Sequence, residues 1–215
     1  MKKIVLAFAG LISLPVWAAL DAPDQRRLDT IQQDWRRIQY DLPEEQRVAA
    51  FEKLATQSTA FVKDRPTAAE AWILSGIVNS SWANALGPGL GALEKAKQAK
   101  ADLEKALSID PTAQQGSAYT SLAVLYDRVP GWPLGFGDSD KAGELLKQAL
   151  KIDPNGIDPL YFWGDHQYRQ SKYAEARDAL NKALKAPPRP GQELADTARR
   201  KDIQTLLGKV NKKLD

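Results

Sequence analysis

Ala183-Leu184-Lys185-Ala186-Pro187-Pro188 has two earlier counterparts, Ala149-Leu150-Lys151-Ile152-Asp153-Pro154 and Ala106-Leu107-Ser108-Ile109-Asp110-Pro111. The last two copies lie 34 residues apart and the first two 43 apart. Self-similarity at such a period marks an array in which each helix pair stacks on the next. The proline of each copy lacks an N–H and clashes inside a helix, so it ends the second helix of a pair.

Working outward from the third copy, Gly164 and Ala176 are the small residues that let two antiparallel helices approach, and Leu180, Ala183 and Pro188 follow in register. Asp158-Pro159 is expected to open the pair, with Asp as the cap and Pro in the first turn. The middle unit carries Tyr119, Leu122, Ala123 and Tyr126, then Ala142, Leu146, Ala149 and Pro154. The first carries Trp72, Gly76 and Asn79, then Ala99, Leu103, Ala106 and Pro111. On these residues the stretch 67–190 resembles three tetratricopeptide repeats. It departs from that pattern at Asn79 and Gln167, where the family prefers Tyr, and at Leu160, where it prefers Trp. The resemblance implies an all-α stack of antiparallel helix pairs, an α-solenoid, whose first helices line a concave protein-binding groove.

The flanks complete the organisation. Residues 1–18 read as a cleavable signal peptide: Lys2 and Lys3, an apolar run from Ile4 to Leu14, and Val16-Trp17-Ala18 at the cleavage site. With no Cys in the chain, a lipid anchor at the new N-terminus is not expected, and no later run would span a bilayer. A free periplasmic protein is the expectation. Residues 19–66 read as an N-terminal helix pair, with Leu28, Ile31, Trp35 and Ile38 on one face, and with 44–66 as a degenerate half-repeat. Thr67 and Glu70 suggest a capping box for the first full repeat. Residues 191–215 read as a C-terminal capping helix. Removing Lys2 and Lys3 leaves 28 basic against 27 acidic residues. That balance does not suit a nucleic-acid partner.

Two long connections are expected between first and second helices, because 23 residues separate Gly76 from Ala99 and 19 separate Ala123 from Ala142, against 12 between Gly164 and Ala176. Their Gly/Pro-rich centres, Gly87–Gly91 and Val129–Gly137, present Leu90, Trp132, Leu134 and Phe136 on one edge of the stack. Those side chains read equally as a binding lip and as a plug over the helix ends. The order Val129-Pro-Gly-Trp-Pro-Leu-Gly-Phe-Gly-Asp138 and the run Tyr161-Phe162-Trp163-Gly164-Asp165 also resemble the periplasmic T component of TRAP transporters. That resemblance implies a transport accessory that docks a solute-binding protein and holds a small apolar ligand.

No catalytic, metal or cofactor site is expected. His166 is the only histidine and reads as a surface or groove residue; no nucleophile motif or P-loop accompanies it. Asp138-Ser139-Asp140 reads as a helix cap. Register carried over from the family puts Ile73, Ile77, Ser80, Ser81, Thr120, Val124, Asp127, Arg128, Tyr161, Asp165, Tyr168, Arg169 and Arg199 in the groove, with Asp127–Arg128 and Asp165–Arg169 as candidate ion pairs. Two functions follow: a periplasmic scaffold that binds a protein partner, and the transport accessory just named.

Overall fold

The structure, a computed structural model, describes residues 20–215. The signal peptide read over residues 1–18 lies outside the described residues. Among the described residues there are nine helices and no strand: α1 (Ala22–Tyr40), α2 (Glu44–Asp64), α3 (Ala69–Leu86), α4 (Leu90–Ile109), α5 (Ala113–Arg128), α6 (Ser139–Ile152), α7 (Ile157–Arg169), α8 (Tyr173–Leu184) and α9 (Glu193–Leu214). The closest packing is within the pairs α3/α4, α5/α6 and α7/α8. α2 precedes them against α3, and α9 follows against α8.

The pairs are close because a side chain is missing at each crossing. A Cβ added to Gly76 would lie 2.6 Å from Cγ of Leu103, and one added to Gly164 would lie 2.7 Å from Cγ of Leu180. In the middle pair, Ala123 and Leu146 are buried in the same cluster. Ala106, Ala149 and Ala183, the alanines of the repeated stretch, are all fully buried. Each of the first two second helices ends when the N–H of Asp110 or Asp153 donates to the carbonyl of Ala106 (2.9 Å) or Ala149 (2.8 Å). The third copy has no aspartate there. There the N–H of Ala186 donates to the carbonyl of Ala183 (3.1 Å), and Arg200 of α9 donates to the carbonyls of Leu184 (2.6 Å) and Ala186 (2.7 Å).

Several expectations need correction. The extra length of the first pair is not a loop. α3 and α4 have 18 and 20 residues, against 13 and 12 in α7 and α8. The helices run up to Gly87-Pro88-Gly89 from both sides, tolerating Gly91 in the first turn of α4, of which Leu90 is the first residue. The Thr67–Glu70 box does not form: α3 starts at Ala69 without a side-chain cap. Instead, Trp72 Nε1 fastens the entry by donating to the carbonyl of Pro66 (2.9 Å). Asp158 is not a cap either, since Gly156 holds that position and Asp158 lies within the first turn of α7. Asp138 does cap α6, accepting from the N–H of Lys141 at 3.0 Å.

One charged group is buried between α3 and α4. Asp102 accepts from Ser75 Oγ (2.7 Å), Asn79 Nδ2 (3.2 Å) and Gln98 Nε2 (2.8 Å), with no cation among its partners. Asn79, which replaces the family's tyrosine, is thus part of a polar knot. Burial raises the Asp102 carboxyl above the ordinary 3.8, and the three hydrogen bonds offset this only in part. A carboxyl raised in the folded state favours folding most when protonated, so its contribution declines as pH climbs past 3.8 through the raised value.

Two predictions follow from this packing. Ala149→Leu should lower stability by about 1–3 kcal/mol through overpacking, read as a shift in denaturant midpoint. Asp102→Asn should raise the midpoint at neutral pH, with the gain shrinking toward zero below about pH 3. Equal destabilisation at both pH values would contradict the burial argument.

Candidate functional site

The inner wall of the stack is a closed ring. α1, α3, α5, α7 and α9 touch in that order, and α9 returns to touch α1. They enclose a cavity of about 1590 Å³, to which α4 adds its first two turns while α2, α6 and α8 contribute nothing. The ring replaces the open groove expected from sequence.

α1 is the member that the sequence reading missed. Its Leu28, Ile31 and Ile38 are buried against α2 and α3. Its inner face, spaced by three and four, presents Gln25, Gln32, Trp35, Arg36 and Gln39 to the cavity. The near end is tied to α2 by Arg27–Asp64 (2.6 Å), by Arg27 over the Phe61 ring (4.9 Å) and by Arg65 with Asp24. Trp35 Nε1 donates across to Ser81 Oγ on α3 at 2.8 Å. At the far end Tyr40 sits in the field of Arg199, Asp158 and Asp202; burial pushes its phenol up.

The α7–α9 side is an ion hub. Asp158 accepts from Arg199 Nε (2.7 Å) and Arg189 Nη1 (2.6 Å). Arg189 also pairs with Asp196 (2.6 Å), and Arg199 with Asp202 (3.2 Å). Burial works to raise the Asp158 carboxyl, but Arg199 and Arg189 outweigh it and hold the group below its ordinary value. The Arg199 guanidinium lies over Tyr161 (4.4 Å) and Phe162 (4.7 Å). On the α5 side the wall begins with a left-handed turn, with φ of 47° at Gln114, 57° at Gln115 and 74° at Gly116. Such a backbone costs an L residue roughly 1–2 kcal/mol.

Of the expected site residues, Ile77, Ser80, Val124, Arg128, Tyr161 and Arg199 line the cavity, as do Leu90 and Leu134 at its rim. Ile73 belongs to the core. Asp127, Asp165, Tyr168 and Arg169 do not line the cavity. The Asp127 carboxylate is bonded to His166 Nδ1 (2.9 Å), so the expected Asp127–Arg128 pair is absent. Arg128 instead reaches Asp165 (3.2 Å), which also takes Arg169 (3.1 Å). Tyr168 packs on Tyr173. His166 is not a surface or groove residue: it is 7% exposed and stacked on Trp163 at 5.6 Å. Its Nε2 closes on Gly143, where a Cβ would come within 2.9 Å. Together, Asp127–His166 and Arg128–Asp165 tie α5 to α7. Among the described residues no group of acids and histidine is arranged to hold a metal ion.

The loop Val129–Asp138 divides the two readings between its residues. Its backbone folds onto itself: Gly137 N–H donates to Pro130 (2.9 Å) and Asp138 N–H to Tyr126 (3.0 Å). A Cβ at Gly137 would strike the Val129 carbonyl at 1.9 Å, which explains the lone glycine pair around Phe136. Phe136 is the plug, half-buried and edge-on to Tyr126 at 5.6 Å. Trp132 and Leu134 point outward, 90% and 74% exposed, as does Leu90 at 88%. Neither Trp132 nor Phe136 reaches the cavity wall.

Comparison with known proteins agrees with this architecture. A tetratricopeptide repeat model matches residues 90–112, the whole of α4 and its terminating proline. TTC0263, a thermophilic tetratricopeptide protein of Thermus thermophilus, is similar in structure with a TM-score of 0.57 at 14% identity, over 85% of this chain and 99% of that one. The MamA RS-1 ArsTM double mutant is similar with a TM-score of 0.50 at 15% identity, over 91% and 94% of the two chains. No curated protein matches the chain. Residues 90–112 thus match one tetratricopeptide repeat, and the chain as a whole shares the helical-repeat fold of these structures.

The loop yields a paired prediction. Phe136→Ala should lower stability by about 2 kcal/mol or more, because it removes a packed aromatic. Trp132→Ala should leave the melting temperature within a degree or two of wild type, as expected for an exposed site. The reverse order in thermal unfolding would mean that the loop packs differently.

Proposed function

We propose that this protein is a non-enzymatic periplasmic scaffold that holds a segment of a protein partner inside the five-helix ring. The observation that carries this reading is the size and chemistry of the cavity. About 1590 Å³ exceeds the roughly 300–1,000 Å³ of small-molecule sites. Its wall is rich in amides and hydroxyls as well as aliphatic side chains, which suits a polypeptide. The exposed Leu90 and Leu134 at the rim, and the exposed Trp132 in the same loop as Leu134, extend the contact beyond the cavity, since rigidly held aromatics make good anchors. The reading of residues 1–18 as a cleavable signal peptide favours a periplasmic location. The T-component resemblance would make the partner a solute-binding protein. A small apolar ligand fits this wall less well.

The test uses a photo-crosslinking residue in place of Val124 on the cavity wall, with one in place of the exposed Glu104 on α4 as control. In cells, the Val124 position should give a defined protein adduct in the periplasmic fraction, and the Glu104 position should not. N-terminal sequencing of the same material should begin at residue 19. A chain starting at Met1 in the cytoplasm, or adducts of equal yield from both positions, would overturn the proposal.

A further inference from the structure

The large apolar groups that the stack leaves in water are unevenly spread. Among the described residues, six large hydrophobics are exposed. Four of them, Leu86, Leu90, Trp132 and Leu134, belong to the α3–α4 turn and the α5–α6 loop. Short turns join α3 to α4 and α4 to α5, so successive helices reverse direction and these two connections leave the stack at the same end. Neither connection carries a charge. Residues 71–93 and 129–137 contain no Asp, Glu, Lys, Arg or His, in a chain that is 27% charged. Leu90 and Leu134 border the cavity, whereas Trp132 stands clear of it.

The loop can leave water at little cost. Pro130 and Pro133 have no N–H. The N–H of Val129 donates to Leu125 (2.9 Å), those of Leu134 and Gly135 to Gly131 (3.1 Å each), and that of Gly137 to Pro130 (2.9 Å). Main chain already hydrogen-bonded loses little on entering a medium that offers no partners. Phe136 fixes the base of the loop against Tyr126, which leaves Trp132 and Leu134 as its tips. The collar behind them is neutral, because Lys95, Lys100 and Lys141 hold Glu94 (3.4 Å), Glu104 (2.7 Å) and Glu144 (3.3 Å). A stable protein contact covers about 800 Å² on each partner and is laced with hydrogen bonds. Here the surface offers narrow tips, and across residues 86–93 and 129–137 the only side-chain donor is the Trp132 indole N–H. A lipid surface needs only apolar tips, a satisfied main chain and an indole at headgroup level, where tryptophan is enriched.

We propose that this end of the stack docks reversibly on a phospholipid bilayer, with Trp132 and Leu134 entering the boundary between headgroups and acyl chains and Leu90 beside them. The contact is apolar and does not select for anionic lipid. It is a surface contact, since no helix among the described residues is long and apolar enough to cross a membrane. The inference goes beyond the scaffold reading: it gives the tips a lipid contact in addition to any they make with a partner, and it needs no partner to be tested.

The probe is a vesicle of phosphatidylcholine and phosphatidylethanolamine, with and without phosphatidylglycerol. The protein is purified as the cell produces it, so wild type and variants share one N-terminus and any binding through residues 1–18 is common to all. Wild type should float with both kinds of vesicle. Trp132→Ser with Leu134→Ser should lower the partition coefficient about tenfold or more, because both anchors are lost. Its melting temperature should stay within a degree or two of wild type, as expected for exposed sites. Trp132→Phe should keep most of the flotation yet lose most of the fluorescence quenching by brominated lipid, which reports where the indole sits. No flotation of wild type at millimolar lipid, or undiminished flotation of the double variant, would overturn the inference and leave the scaffold reading intact. Binding confined to phosphatidylglycerol vesicles and abolished by high salt would assign the contact to the lysines and overturn it as well. Self-association that the double variant abolishes, with no flotation, would put a second copy on the tips in place of lipid.

Discussion

The architecture depends on two leucines lying where two side chains are absent. Leu103 over Gly76 and Leu180 over Gly164 set how closely the helices of the first and third pairs approach. The contact is equivalent in both, so each pair presents the same geometry to its neighbour. Buried alanines at 106, 149 and 183 keep the outer helices equally close. Repetition of one close contact is what bends the array consistently, and consistent bending is what lets α9 come round to meet α1. The longer α3 and α4 stretch one side of the ring without altering that contact, since their extra residues lie beyond the crossing.

Closure is achieved differently at its two ends. α1 is held to α2 and α3 by buried aliphatics, ion pairs and one tryptophan hydrogen bond. On the α9 side, the charges are satisfied within the wall, with Asp158 held between Arg189 and Arg199. A carboxylate held ionised by two guanidinium groups would be costly to strip of either one. The hub therefore fixes the turn from α8 into α9 and leaves little net field in the cavity. The polar groups that remain available there are amides and hydroxyls, together with the charged Arg36, Glu70 and Asp153.

Much of the second-helix pattern was legible because those helices face the core, where period, small residues and terminal prolines all report the same packing. The inner wall was less legible for reasons specific to its residues. Gln25, Gln32 and Gln39 look like an ordinary solvated helix face, and nothing local in α1 says that it crosses to α9. Asp158 before a proline looks like a cap, yet its partners are 31 and 41 residues away. His166 looks like a surface group because its partner Asp127 and the gap left by Gly143 come from two other helices. Gly87-Pro88-Gly89 looks like the centre of a loop, though a three-residue break between two helix-compatible runs needs no more than a tight turn. In each case the deciding contact is long-range, and local spacing cannot carry it.

A ring has no side entrance. An open superhelix can be laid over the middle of a folded partner, but a closed one must admit a chain end through one of its faces, or wait for α1 to part from α9. Entry and exit then share one gate, and lifting α1 slows or speeds both together. A partner held there as proposed would exchange slowly at any given affinity.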